Sequence, residues 1–408
     1  MMSSVKHGRT IPWIIAALLS SVCLFLYAPG SANALEAVRL PEVDELPVVR
    51  ELPDPFRFID GSRVKTKADW EQRRQEIKAI IQYYGYGHMP PAPENVIAET
   101  LSFKPIFDGA ARREYLTLSM GPDNKITVNV QMLVPEGTGP FPVIIKNDSS
   151  HTGGTPIAKE IVQRGYVLVK YARTDLDPDE NNVVGPAQQA YPDYDWATLA
   201  VWAWGGMRVL DYLETLDFID KSKVAITGHS RGGKTALLTG ALDERFTLVV
   251  PNGSGCGGAG CYRFLGPNSE SLEAITDPKR FSYWFHPRHG TFAGKVDRLP
   301  FDQHFLKALV APRALLSTDA LGDRWANPLG TQITYQAAQE VFDFLGVPEK
   351  SGLHFREGGH AQNAEDWRAL IDFADEQFFG KKTGRDFKKL PFPEAQKAFT
   401  WQAPGNER

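Results

Sequence analysis

Cysteine is scarce in this chain. Three cysteines occur in 408 residues, and only Cys256 and Cys261 lie beyond residue 34. Two cysteines are too few for a structural zinc site with three or four cysteine ligands, so a domain stabilised by such a site is excluded. Their spacing leaves two alternatives open: a disulfide formed in an oxidising compartment, or two buried free thiols.

Charge of one sign is scarce as well. The 45 lysines and arginines nearly balance the 49 aspartates and glutamates, which gives a formal net charge of −4 with no long run of either sign. Binding to nucleic acid or to an anionic membrane surface is therefore not favoured, whereas a neutral or anionic small substrate stays open. The sequence also lacks internal repeats, and with 42% hydrophobic residues it has the composition of an ordinary globular protein.

The N terminus has the three parts of a secretory signal peptide. Lys6 and Arg9 precede an apolar stretch over residues 11–28, and the small residues Ala-Asn-Ala follow at 32–34. We therefore predict a signal peptide at residues 1–34, cleaved after its last residue, with export to the periplasm or the medium and no stable membrane association afterwards. A retained membrane anchor is the weaker alternative, because an apolar run under about 20 residues barely spans a bilayer.

Residues 35–408 are predicted to form a single catalytic domain. Residues 35–65 hold several prolines and little apolar periodicity, which indicates an extended lead-in rather than a separate domain. Alternating polar and apolar residues at 115–119 and 126–134 indicate antiparallel strands at the edge of a sheet.

Short apolar runs separated by helical segments follow from Phe141 onward. Runs of this length are typical of parallel strands buried on both faces, and their alternation with helices indicates a doubly wound sheet. We therefore predict an α/β fold, a three-layer αβα sandwich with a mostly parallel sheet. The predicted strands are residues 142–146, 166–171, 224–227, 248–250 and 314–317, and the main helices are residues 196–216, 234–242 and 364–379.

The sharpest motif is Gly228-His-Ser230-Arg-Gly232, which follows a predicted strand and leads directly into a helix. Glycines flank the serine because a strand-to-helix turn this tight has no room for side chains, and the turn lifts the hydroxyl of Ser230 clear of the sheet. The amides at the start of the helix lie where negative charge develops on a reacting carbonyl. This nucleophile elbow predicts a serine hydrolase of the α/β-hydrolase fold, with Ser230 as nucleophile.

A general base and an orienting acid should follow the serine along the chain. His360 lies after a short strand and before the last helix, where this fold presents its base, and the other downstream histidines fit less well. Asp319 and Asp323 are both candidates for the acid. We prefer Asp323 because it lies deeper in its loop, whereas Asp319 can equally cap the turn.

Arg231 and Lys234 form a basic pair on the first turn of the helix after the serine. At positions i and i+3 both can face the same pocket, although cations at a helix N terminus oppose the helix dipole. The pair therefore suggests a function, namely stabilising an oxyanion and binding hydroxyl groups. The alternative is that both side chains point to solvent or pair with nearby carboxylates.

These residues belong to a longer pattern that resembles the glucuronoyl esterases, carbohydrate esterase family fifteen. The resemblance covers residues 141–379, and its motifs include Gly-His-Ser-Arg-Gly-Gly-Lys-Thr-Ala-Leu at 228–237, Leu-Pro-Phe-Asp-Gln-His at 299–304 and Gly-His at 359–360. It implies hydrolysis of an ester at the C6 carboxyl of glucuronic acid or its 4-O-methyl ether, as in xylan side chains linked to lignin alcohols. No metal or organic cofactor is expected, and we expect a monomer.

The resemblance also implies roles for individual residues. Ser230 resembles the nucleophile, His360 the base and Arg231 the residue that stabilises the oxyanion. The residues that resemble contacts to the sugar are Lys234, Glu270 and Trp325.

One position departs from the family pattern. Many members carry a catalytic glutamate where this chain has Gly253, so the acid must come from elsewhere, and Asp323 matches the aspartate that other members use. Two alternative functions remain. One is a different carbohydrate esterase, such as an acetylxylan esterase, and the other is a polysaccharide-binding homologue that has lost catalysis.

Overall fold

The structure, a computed structural model, describes residues 40–393, 395 and 398–405. The predicted signal peptide lies outside the described residues. From Pro41 onward the chain forms one compact unit. In the part of the chain that is described, no helix is both long enough and apolar enough to cross a membrane.

A single mixed sheet forms the centre of the described chain, with the strand order β1-β2-β3-β5-β4-β6-β7-β8-β9. The first three strands pair antiparallel, β3 joins β5 antiparallel, and every pairing from β5 to β9 is parallel. The strands are β1 (Val96–Ile106), β2 (Ala111–Met120), β3 (Ile126–Pro135), β4 (Phe141–Asp148), β5 (Val167–Ala172), β6 (Ile219–His229), β7 (Leu248–Asn252), β8 (Ala314–Ala320) and β9 (Ser351–Arg356).

Helices cover both faces of this sheet. Their bounds are α1 (Lys67–Ile81), α2 (Ala158–Gln163), α3 (Pro186–Ala190), α4 (Thr198–Leu213), α5 (Arg231–Leu242), α6 (Leu272–Thr276), α7 (Pro287–Gly290), α8 (Gln303–Val310), α9 (Pro328–Leu345) and α10 (Ala364–Phe379). Helices α2 and α10 pack on one face, where Ile161 and Trp367 meet sheet residues such as Ile144 and Leu316. Helices α4, α5 and α8 pack together on the other face. The predicted three-layer α/β-hydrolase architecture is confirmed.

The observed parallel strands coincide with the apolar runs predicted as strands, because a strand buried on both faces needs apolar residues throughout. The predictions omit strand β1 and helix α9. All nine inner residues of β1 are exposed, so no buried face imposes an alternating pattern on its sequence. The antiparallel edge predicted around residues 115–134 is confirmed in β2 and β3.

The segment before α1 contains one short 3-10 turn, Val43–Glu45, among its described residues. It is attached to the domain by buried Leu52 and Phe56 and by a hydrogen bond from the Leu52 amide to the Ala398 carbonyl. The alternatives left open for the two cysteines are also resolved. Cys256 and Cys261 are buried free thiols in this structure.

Candidate active site

The catalytic candidates lie at the carboxyl ends of neighbouring parallel strands, the edge at which open α/β sheets bind their ligands. Ser230 directly follows β6 and has φ 57° and ψ −123°, a backbone conformation that is strained for a residue with a side chain. A Cβ atom at Gly228 would lie 2.2 Å from the carbonyl oxygen of Gly232, and one at Gly232 would lie 2.7 Å from the side chain of Asn147. Both glycines are therefore required by the tight turn, as the motif predicts.

The structure brings the predicted base and acid together. Asp323, in the loop after β8, accepts a hydrogen bond from Nδ1 of His360, in the loop after β9, at 2.5 Å. The Asp323 carboxylate is almost fully buried, with 4% of its side chain exposed, whereas 39% of the His360 side chain is exposed. With Nδ1 held by the acid, Nε2 is the ring nitrogen that remains to act as a general base.

Asp319, the alternative acid, lies elsewhere. It is the penultimate residue of β8 and is 1% exposed. Burial raises its pKa to about 7. It makes no hydrogen bond to His360, so the geometry supports the choice of Asp323.

Arg231 begins helix α5 beside the serine. Its Nη1 donates to Oδ2 of Asp179 at 2.6 Å, and its guanidinium carbon lies 4.7 Å from the centroid of the Trp284 ring. Burial disfavours the charged form of Asp179, but Arg231 and a hydrogen bond from Trp284 outweigh it and hold the pKa of this carboxyl below its usual value. The backbone amide of Arg231 is the first of the helix and so has no acceptor within it.

Lys234 lies under the site rather than at its surface. Its Nζ donates to Oε2 of Glu270 at 2.6 Å, to the carbonyl of Ser254 at 2.8 Å, and to the carbonyl of Cys256. The two charged side chains are only 3% and 4% exposed, and burial raises the pKa of Glu270 although Lys234 opposes this. All three ammonium hydrogens thus have acceptors, and direct contact of Lys234 with a sugar stays a prediction.

Comparison with known proteins then decides the family. A family model described as glucuronyl esterase of fungi matches residues 119–346, more than half of the chain. This chain belongs to the glucuronoyl esterase family.

Individual relatives agree. The chain is 33% identical over 315 residues to 4-O-methyl-glucuronoyl methylesterase 1 from Wolfiporia cocos, covering 74% of each protein. Its fold matches a family 15 glucuronoyl esterase from Caldicellulosiruptor kristjansonii with a TM-score of 0.75 at 30% identity, over 89% of this chain and 99% of that one. It also matches a mutant glucuronoyl esterase from Sporotrichum thermophile, solved in complex with methyl 4-O-methyl-β-D-glucopyranuronate, with a TM-score of 0.71 at 26% identity, over 87% and 97%.

Gly253, the departure from the glucuronoyl esterase pattern, directly follows β7. A Cβ atom there would lie 3.2 Å from Cε1 of His229 and 3.6 Å from Oδ2 of Asp323. A longer acidic side chain at this position would therefore lie close to the Asp323 carboxylate and to His229. The structure thus gives a physical reason why a glycine at 253 and an aspartate at 323 occur together in this glucuronoyl esterase.

Glu270 and Trp325, predicted as sugar contacts, lie side by side. The backbone amide of Glu270 donates to the carbonyl of Trp325 at 3.0 Å. Trp325 is 38% exposed, and the Arg280 guanidinium carbon lies 5.2 Å from its ring centroid. An exposed indole two residues after Asp323 can pack against a sugar ring.

Two residues of this glucuronoyl esterase site are absent from the sequence predictions. The ring of His229 lies 4.4 Å from that of His360, and its Nδ1 bonds Oδ1 of Asn252 at 2.7 Å. Burial and the neighbouring His360 lower the pKa of His229 to about 4, so it is neutral near pH 7. The second is Asp179, for which the available signal is a group of acidic residues directly after strand β5.

Proposed function

We propose that this chain hydrolyses esters of D-glucuronic acid and its 4-O-methyl ether, as in the linkages between glucuronoxylan and lignin alcohols. The observation that carries the proposal is the contact between His360 and Asp323, in a chain of this family. The His360 ring also lies 4.4 Å from that of His229, the residue directly before the elbow serine. The names of relatives that refer to 4-O-methyl-glucuronoyl esters, and the related structure that holds a methyl glucuronate, support the substrate class.

The proposed reaction is acyl transfer in two steps. His360, oriented by Asp323, takes the proton of Ser230 while the serine oxygen attacks the C6 carbonyl, and the tetrahedral oxyanion is stabilised by Arg231. Collapse of this intermediate breaks the ester bond, and His360 returns the proton to the departing alcohol. Water then attacks the acyl-enzyme in the same way, releasing the uronate and restoring the serine hydroxyl.

Substrate contacts follow from the same geometry. We propose that Trp325 packs against the sugar ring and that Glu270 accepts a hydrogen bond from a ring hydroxyl through the carboxylate oxygen that Lys234 does not bind. Lys234 would act chiefly by keeping Glu270 ionised in its buried position. A direct bond from Lys234 to the sugar would require exchange of one of its three protein acceptors.

The test is hydrolysis of benzyl glucuronate beside an acetylated xylan, using purified residues 35–408. We expect release of benzyl alcohol that is lost in Ser230→Ala. The matched control is Ser222→Ala, because Ser222 is an exposed serine near the other end of the same strand, and its loss should leave activity unchanged.

The other outcomes identify the alternatives. Release of acetate without benzyl alcohol would make the protein an acetylxylan esterase, since the same three catalytic residues serve either ester. Binding of glucuronoxylan without cleavage of either substrate would indicate a homologue that has lost catalysis. Equal turnover by Ser230→Ala would refute the serine mechanism itself.

Export and oligomeric state are also proposals. We propose that the protein is secreted or periplasmic after cleavage behind Ala34 and acts as a monomer. Mass spectrometry of the exported protein should give a chain that begins at Leu35, and light scattering should give the mass of one chain. A retained N terminus or a dimer mass would contradict the respective proposal.

A further inference from the structure

Asp179 lies at the centre of a network that the reaction scheme does not use. Its Oδ2 accepts from Arg231 at 2.6 Å and lies 3.9 Å from the buried Arg173 guanidinium. Its Oδ1 accepts from the Tyr283 hydroxyl at 2.8 Å and from the Trp284 indole nitrogen at 3.0 Å. Four side chains thus fix one carboxylate, so it is a rigid anchor for Arg231.

The anchored Arg231 is only partly engaged. Its side chain is 32% exposed, and Nη1 is the one guanidinium nitrogen with a hydrogen-bond partner among the described residues. The guanidinium lies over the face of Trp284, whose side chain is buried and itself donates to Asp179. Carboxylate and indole therefore hold the group from two sides and leave its remaining nitrogens available to a ligand.

The charge of the product makes this restraint important. The ester substrate is uncharged at the reacting carbonyl, the tetrahedral intermediate carries one negative charge, and the released uronate carries one as well. A free arginine would stabilise the intermediate but would also retain the carboxylate product. A carboxylate paired with the arginine fixes the direction of the guanidinium. It also reduces the attraction of the guanidinium for a mobile anion such as the released uronate.

We propose that Asp179 is a positioning residue with two effects: it aims the Arg231 guanidinium at the oxyanion formed on Ser230, and it weakens binding of the uronate product. The inference rests on the proposed function, because it concerns the products of that reaction. It assigns Asp179 no contact with the substrate.

The experiment is a double-mutant cycle of Asp179→Asn and Arg231→Met, with benzyl glucuronate as substrate and D-glucuronate as inhibitor. In the wild-type background, Asp179→Asn should lower kcat/KM by about 10- to 100-fold, since a misplacement of about 1 Å can cost that much. It should also lower the Ki of glucuronate by about two- to fivefold, the effect of unpairing a partly exposed ion pair. In the Arg231→Met background it should change neither constant by more than about twofold.

Matched variants separate this role from a structural one. Glu180→Gln removes the neighbouring, exposed negative charge without touching Arg231 and should leave both constants unchanged. Asp179→Glu keeps the charge but displaces the carboxylate by one methylene, so it should lower kcat/KM while leaving the Ki near that of the wild type. This variant also carries the test if Asp179→Asn does not fold, which its melting temperature would reveal.

An unchanged Ki in Asp179→Asn, or an equal loss of kcat/KM in the Arg231→Met background, would overturn the inference. Failure of the proposed function would look different, because the wild-type enzyme itself would then release no benzyl alcohol.

Discussion

Replacing Asp323 by asparagine should reduce catalysis severely and leave the fold intact. The carboxylate lies 2.5 Å from Nδ1 of His360, and the charge centres of an imidazolium and a carboxylate in this contact are about 4 Å apart. At an effective dielectric constant of about 20 their attraction is about 4 kcal/mol, equivalent to about 10³-fold in rate. Asparagine removes this attraction from the transition state, in which the imidazole carries the proton of Ser230, and we expect kcat to fall by about that factor.

Asp319→Asn is the matched control, because Asp319 lies at the end of β8, the strand that precedes Asp323. Burial raises the pKa of Asp319 to about 7, so at pH 6 the native side chain is mostly neutral and asparagine is a close substitute. We expect kcat within about threefold of wild type there. Initial rates of benzyl alcohol release at saturating substrate, with circular dichroism to verify folding, measure both variants. A larger loss in Asp319→Asn than in Asp323→Asn would refute this assignment of the acid.

Three further predictions follow from the same contacts. In a background of Asp323→Ala, Gly253→Glu should restore kcat at least about tenfold, because a Cβ atom at 253 lies 3.6 Å from the position of the lost Asp323 oxygen and this proximity outweighs the strain of a side chain at φ 49°. No gain in turnover would contradict this prediction. Lys234→Met should lower the free energy of unfolding by about 3–5 kcal/mol in urea by leaving Glu270 buried and unpaired, and adding Glu270→Gln should recover much of the loss. The raised pKa of Asp319 means that the native state holds a proton that the unfolded chain loses near pH 4. The stability of the wild type relative to Asp319→Asn should therefore fall as the pH rises from about 4 to 8. A difference in melting temperature that does not change with pH would argue against this prediction.

The features that could be predicted from the sequence are those that local patterns determine. The elbow around Ser230 is set by steric limits on adjacent residues, so its glycine spacing predicts the turn. The base and acid could be chosen because a parallel sheet brings the ends of its strands to one edge, and His360 and Asp323 follow neighbouring strands. Asp323 could not be separated from Asp319 with certainty, because the pattern does not tell which of two carboxylates in one segment faces the base.

The features that could not be predicted depend on contacts between distant segments. Asp179 and Arg231 are 52 residues apart, and Lys234 and Glu270 are 36 apart. From their spacing, Arg231 and Lys234 are predicted to face the same pocket. In the structure Arg231 reaches Asp179, whose side chain is 17% exposed. Lys234 instead is buried with Glu270, because the residues after β7 place its acceptors beside the helix start.

The parallel sheet allows the acid beside His360 to come from either of two positions in the sequence. Strands β7 and β8 are parallel neighbours, so Gly253 after one and Asp323 in the loop after the other lie at the same edge. A Cβ atom at 253 would lie 3.6 Å from Oδ2 of Asp323, and that oxygen is 2.5 Å from the imidazole of His360. One point beside the base can therefore be supplied with negative charge from either strand, although not from both at once without repulsion between the two carboxylates. It follows that the absence of a glutamate at 253 is not evidence for lost catalysis, because the same charge reaches the histidine from the next strand.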